Sequence, residues 1–197
     1  MAMQTGAGDD ALARASAGDE SGFLELWRSL QPRLLRFLRA IGCDDPEDVA
    51  SETWLQVVRD LHRFSGGEDD FRRWLFTIAR HRTVDAARAR ARRPVEPLSG
   101  GLDILADGHL VEEQVLEGMS VRGAVSLLAG LSADQAEAVA LRVIAGLDTL
   151  DVATILGKSP GAVRVALHRG LKSLASNPSV RALAGPALAR QTTEEVD

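Results

Sequence analysis

Between Phe71 and Arg93 the chain reads FRRWLFTIARHRTVDAARARARR, an order of residues that a long amphipathic helix accommodates and a strand does not. With successive side chains turned by about 100 degrees, Phe71, Trp74, Leu75 and Ile78 fall on one side, and Arg73, Thr77, Arg80 and Arg88 fall together on another. The first side has to pack, and the second can touch phosphate. Eight arginines stand here against one acid, Asp85. Only His81, Asp85 and Arg88 have the spacing of local helical support, so at least six arginines are expected to lack a nearby acid and to repel one another until an anion arrives. A solvated surface helix is the competing reading, and a polyanion-binding role is favoured over it.

A chain of 197 residues with 45% apolar content buries one modest core or two small ones. Its formal net charge of -5 conceals blocks: the segment 94–118 carries six acids and no lysine or arginine. Alternating polarity of this kind argues for a divided protein with separate partners. Cys43 is alone, which excludes an internal disulfide, and His62, His81, His109 and His168 show no metal-ligand spacing with it. No metal or other cofactor is expected. The amino-terminal MAMQTGAGDDALARASAGDE lacks the charged flank and apolar run of a secretory signal, and no stretch has the length of a membrane span, so a cytoplasmic protein without membrane insertion is expected.

The first domain is placed at 9–93. Leu12, Phe23, Leu26, Trp27, Leu30, Leu34, Leu35 and Leu38 recur at three and four, reading as a short helix and then a longer one that Asp19 can cap. Pro32 should bend or divide the longer helix near Gln31. A third helix is announced by Asp44 or Asp45 as cap, Pro46 in the first turn, and a run of Val49, Thr53, Leu55, Val57, Val58 and Leu61. Residues 65–70 have loop composition, and the arginine-rich helix follows. Pro94, Pro97, Ser99, Gly100 and Gly101 then open an acidic, flexible linker at 94–118.

The second domain, 119–175, is punctuated more cleanly. Ser132 and Gln135 form a capping box before a helix that runs through Val139, Leu141, Val143 and Ile144 to Gly146. Asp148 and Asp151 begin another helix, with Leu147 and Val152 spaced as a staple, and it stops at Gly157. Ser159 caps the last helix, Pro160 takes its first position, and Val163, Leu167, Leu171 and Leu174 recur along it. Two helices joined by Gly157, Lys158 and Ser159 describe a helix-turn-helix. The alanine-rich residues 176–197 form a carboxy-terminal tail that frays or makes a short helix. The fold class is therefore all-α, with two small helical domains on an acidic linker.

The two halves together resemble a bacterial RNA polymerase sigma factor of the extracytoplasmic-function (ECF) group in the sigma-70 family, the compact class with only regions two and four. AspProGluAspValAla with SerGluThrTrp at 51–54 resembles the core-polymerase-binding helix, and PheArgArgTrpLeuPheThrIleAlaArg the region of promoter opening and minus-ten recognition. LeuSerAlaAspGlnAlaGluAlaValAlaLeuArg with IleLeuGlyLysSer resembles region four, which reads the minus-thirty-five element.

The resemblance implies a dissociable sigma factor that does no chemistry itself, with core RNA polymerase (clamp of the largest subunit, flap of the second largest), promoter DNA and an anti-sigma factor as partners. It implies Asp48, Glu52 and Gln56 as clamp contacts, with Leu55 and Val58 expected in the core. It implies Phe64, Ser65, Gly66, Arg73, Arg80, His81 and Arg88 on the minus-ten strand, a ring at Phe64 either stacking on a flipped base or plugging the core. For the minus-thirty-five duplex it implies Lys158, Ser159, Gly161, Arg164, Val165, His168, Arg169 and Lys172. Ala162, Val165 and Ala166 stand where the family commonly has threonine, serine and arginine, which leaves Arg164, His168 and Lys158 as base-reading donors. A stand-alone helix-turn-helix regulator, footprinting a palindrome without polymerase, is the alternative.

Overall fold

A computed structural model describes residues 5–92, 128 and 130–178. The helices are α1 (Thr5–Ser16), α2 (Glu20–Ala40), α3 (Pro46–Asp60), α4 (Glu68–Arg92), α5 (Ala133–Val139), α6 (Thr149–Leu156) and α7 (Pro160–Ser176). A 3-10 turn, Leu61–Arg63, leads out of α3, and a π turn, Ala140–Ile144, continues α5. None of these helices is long and apolar enough to cross a membrane.

Local chemistry sets the helix starts. Asp19 accepts the Ser21 N–H at 2.8 Å and its hydroxyl at 3.0 Å. Those bonds, backbone first, hold the Asp19 carboxyl below its ordinary value. The cap's contribution is therefore in place above the ordinary carboxylate range and is lost as pH falls through the lowered one. Asp45, rather than Asp44, caps α3 by accepting the Asp48 N–H at 3.1 Å. Pro32 does not divide α2, which runs unbroken on either side of it. A proline removes one backbone bond, and Leu26, Leu30, Leu34, Phe37 and Leu38, all buried, hold both halves against the same core.

The first domain packs α1 to α4 around Phe37, Phe71 and Phe76, none of which is accessible to solvent. Trp54 places its ring edge-on to Phe23 and donates its indole N–H to Gln31 at 2.7 Å. Thr53, the buried polar residue of this core, returns its hydroxyl to the Val49 carbonyl at 2.7 Å. Helix α4 is capped from a distance: Asp9 of α1 accepts the Glu68 N–H at 2.7 Å.

Helices α1 and α2 approach backbone to backbone at Gly22, where an added Cβ would lie 2.7 Å from the Ala11 carbonyl oxygen and 2.8 Å from the Ala15 nitrogen. In a free helix Gly→Ala stabilises by about 1 kcal/mol. Here the methyl would press on main chain and on the Arg14 Cβ, 2.8 Å away, neither of which can swing aside, so Gly22→Ala is expected to lower the urea midpoint instead. A raised midpoint would mean that α1 does not sit where described.

The second domain follows its expected caps. Gln135 Oε1 accepts the Ser132 N–H at 3.4 Å, Asp148 accepts the Asp151 N–H at 2.8 Å, and the Ser159 hydroxyl accepts the Ala162 N–H at 3.2 Å. Leu147 and Val152, the staple pair, are both buried. Gly157 ends α6 at φ +63, a left-handed position that costs glycine least. Val163 and Leu167 seat α7 on α5 and α6, while Leu171 at the same nominal spacing is 46% exposed. The expected α-helix to Gly146 instead widens into the π turn, closed by Ala145 N–H to Ala140 O at 3.1 Å.

The buried side chains of both domains form one connected apolar cluster from α1 to α7. The segment 94–118 and the tail from 179 lie outside the described residues, so the expectations of a flexible acidic linker and a fraying tail lie there too.

Candidate nucleic-acid interface

Helix α4 divides by face as its sequence requires. Phe71, Leu75, Phe76, Ile78 and Ala79 are buried, and Trp74 is half-buried. The arginines, however, are not short of acids. Arg72 pairs with Glu68 at 2.7 Å and Asp69 at 2.9 Å, and Arg73 pairs with Asp70. Those acids sit one turn ahead of the segment, where a window starting at Phe71 misses them. Arg82 reaches across to Glu52 at 2.8 Å and Gln56 at 3.0 Å on α3, Arg88 stands 3.6 Å from Asp85, and Arg90 pairs with Asp44.

Arg73 and Arg80 also find partners in the second domain. Arg73 donates to Asp151 at 2.8 Å. That bond, helped by the charges of Asp151 and Asp70, raises the guanidinium above its ordinary value against the cost of burial. Arg80 donates to Glu137 at 3.1 Å and to the Ile155 carbonyl at 3.3 Å. Spacing singled out Asp151 only as a first-turn acid of α6 and did not single out Glu137, which reads locally as a surface position.

The loop ahead of α4 exposes Ser65 and Gly66 and holds Phe64 half-buried. The Phe64 ring stacks on Trp74 at 5.1 Å and meets Phe71 edge-on at 5.6 Å, so one of its faces is already taken by protein. Gly66 adopts φ +146 beside the Asp70 side chain, where any Cβ would fall 2.8 Å from that of Asp70. His81 is exposed one step beyond Arg80.

The outward face of α3 corrects an expectation. Leu55 and Val58, expected in the core, are 62% and 55% exposed. The buried stripe of Val49, Ala50, Thr53, Trp54 and Val57 fills the inward face. On a turn of about 100 degrees per residue, Leu55 and Val58 lie roughly opposite it, beside Asp48, Ser51 and Glu52. Asp48 and Glu52 are exposed and Gln56 is half-buried at the edge of this patch. The same angular count, applied to the sequence, separates the two leucine-like positions from the core.

On α7, Gly161, Arg164, Val165, His168, Arg169 and Lys172 are all exposed. Their projection lies away from Val163, Leu167 and Gly170, which are buried. Lys158 is half-buried and paired with Asp134, and the Ser159 hydroxyl is used as the cap. Arg164, His168, Arg169 and Lys172, with Val165 among them, project to solvent from this helix.

Residues 26–93 match the Sigma-70 region 2 family, and residues 124–174 match Sigma-70, region 4. The ECF RNA polymerase sigma factor SigD of Mycobacterium tuberculosis is 33% identical over 180 residues, which are 88% of this chain and 85% of that protein. Among solved structures the fold is similar to CnrH, determined with the cytosolic domain of CnrY, at TM-score 0.59 and 23% identity over 86% of this chain and 96% of that one. It is also similar to the sigma factor RpoE of Bartonella quintana, determined with the anti-sigma factor NepR, at TM-score 0.57 and 22% identity over 77% and 93%. A region 2 match ahead of the helix-turn-helix disfavours a stand-alone regulator. The chain belongs to the ECF group of the sigma-70 family, the RNA polymerase sigma factors that direct transcription initiation.

Proposed function

We propose that the outward face of α3 docks on the polymerase clamp, that the arginine face of α4 with the loop of Phe64, Ser65, Gly66 and Gly67 ahead of it holds the opened minus-ten strand, and that α7 lies on the upstream duplex. The observation that carries this reading is the separation of faces. Each helix buries one apolar stripe and turns different chemistry away from it: acids with two exposed aliphatic side chains on α3, guanidinium groups on α4, where Arg73 and Arg80 are half-buried in ion pairs and Arg88 is exposed, and donors on the second helix of a helix-turn-helix. Phosphate contacts would position the strand, and Arg164 and His168 would supply the direct base readout. Segments 9–93 and 119–175 would be the working domains, with 94–118 as the tether between them.

The two solved relatives were each captured with a second protein, and in one it is an anti-sigma factor. Sequestration by such a partner fits a chain whose activity consists of presenting surfaces. The reading assigns the chain binding rather than catalysis, and a cytoplasmic location follows from the proposed partners.

The test is reconstitution with core polymerase on a promoter library, followed by transcript mapping. Start-site selection that depends on the chain is expected. With Arg88→Ala, binding to the selected promoter should weaken without a change of preferred sequence, and the salt dependence should flatten by about one unit of slope. Absence of core binding and of start-site selection would remove the reading.

A further inference from the structure

Arg82 stands apart from the other arginines of α4. It lies about half a turn around the helix from Arg73, on the side where Ile78 and Ala79 are buried. From there it reaches the edge of α3, where Nη1 donates to Glu52 Oε2 at 2.8 Å and Nη2 donates to Gln56 Oε1 at 3.0 Å. Glu52 and Gln56 stand on successive turns of α3, so one planar fork bridges both.

These bonds fix more than position. A guanidinium only donates, so Gln56 has to turn its amide oxygen toward Arg82 and its amide nitrogen away. The Glu52 carboxylate gives one oxygen to Arg82 and keeps the other for a partner. The edge therefore presents an acceptor at Glu52 and a donor at Gln56. Without the fork the amide can turn over, and both long side chains regain their rotamer freedom. The ion pair is half-exposed, 34% at Arg82 and 50% at Glu52, so it adds little to the stability of the fold.

We infer that Arg82 is a positioning residue of the polymerase-docking face, holding Glu52 and Gln56 in the arrangement that the clamp receives. This rests on the reading of α3 as the docking face. Arg82 acts on association in two opposite senses. Its charge opposes docking, because it partly neutralises an acidic patch suited to a basic surface. Its fork favours docking, because side chains already ordered lose less freedom on binding. Two ordered side chains outweigh one half-exposed, salt-screened charge. Removing the guanidinium therefore loosens the complex, whereas a purely electrostatic role would tighten it.

The experiment follows association and dissociation of the full chain and core polymerase by biolayer interferometry, with a thermal melt of each variant. Arg82→Met keeps most of the length and the apolar stem. It is expected to weaken the complex about tenfold, mainly through faster dissociation, with little change in melting temperature. Arg82→Lys keeps the charge without the fork and should still weaken the complex about threefold. In a Glu52→Ala/Gln56→Ala background, Arg82→Met should cost nothing further, since nothing is left to hold.

Unchanged or tighter association of Arg82→Met overturns the proposal. Full affinity in Arg82→Lys does so too, and decides the matter if Arg82→Met does not melt cooperatively. A loss that persists in the Glu52→Ala/Gln56→Ala background would place Arg82 on the polymerase itself, which also overturns it. If Glu52→Ala/Gln56→Ala leaves association intact, the docking reading of α3 fails; a loss there with none in Arg82→Met refutes the positioning role alone.

Discussion

Replacing Phe76 by alanine is expected to lower the unfolding free energy by about 3–5 kcal/mol, read from a urea titration followed by circular dichroism. The ring is completely buried and meets Phe37, also completely buried, edge-on at 5.2 Å and 87°. Removing it leaves a cavity where α4 meets Phe37 of α2, inside the cluster that also holds Leu34, Leu38 and Leu75. Edge-to-face pairing adds about 0.5–1.5 kcal/mol beyond the area lost, so a cycle with Phe37→Ala should show coupling of that size. A domain of ordinary stability, about 5–15 kcal/mol, keeps little after such a change. A loss below about 1 kcal/mol would show that the two rings do not form the centre of the first domain.

The second large effect is expected at binding rather than folding. Leu55→Ala/Val58→Ala removes aliphatic side chains that are 62% and 55% exposed, so the melting curve should hardly move. Association with core polymerase should weaken by about 2 kcal/mol, roughly 30-fold, if these residues seat in the clamp as apolar anchors. Charge reversal at Asp48 and Glu52 should also weaken association, acting mainly on the rate of encounter and its salt dependence. Glu52 additionally holds Arg82, so Asp48→Lys alone is the cleaner probe of steering. Unchanged association in both variants would show that α3 is not the docking face.

N-caps at Asp19, Ser132, Asp148 and Ser159 were legible in the sequence, and that of α3 to within Asp44 or Asp45, because capping depends on residues within three positions of each other. The same is true of the Gly157 stop. Apolar periodicity located the core of α4 but misjudged Leu55 and Val58, since it counts apolar residues without asking which face is already filled. The division considered at Pro32 does not occur, because a local penalty is set against tertiary packing that only the fold reveals. The π turn at Ala140–Ile144 has no comparable signature in residue type.

The arginine partners fail for a further reason. Glu68, Asp69 and Asp70 are close in sequence but precede Phe71, where the arginine-rich stretch begins, whereas Asp151 and Glu137 come from another domain. No spacing rule connects residues that meet only after two domains have folded.

The cap that Asp9 provides to Glu68 spans 59 positions of chain. During synthesis the amino-terminal helix leaves the ribosome first, so the acceptor waits in place before the donor is made. The order in which the polypeptide is built thus matches the order in which the first turn of its most basic helix needs support. A chain begun beyond Asp9 would produce α4 with a loose start, and its loss would be felt at Asp70 and Arg73, far along the sequence from the missing piece.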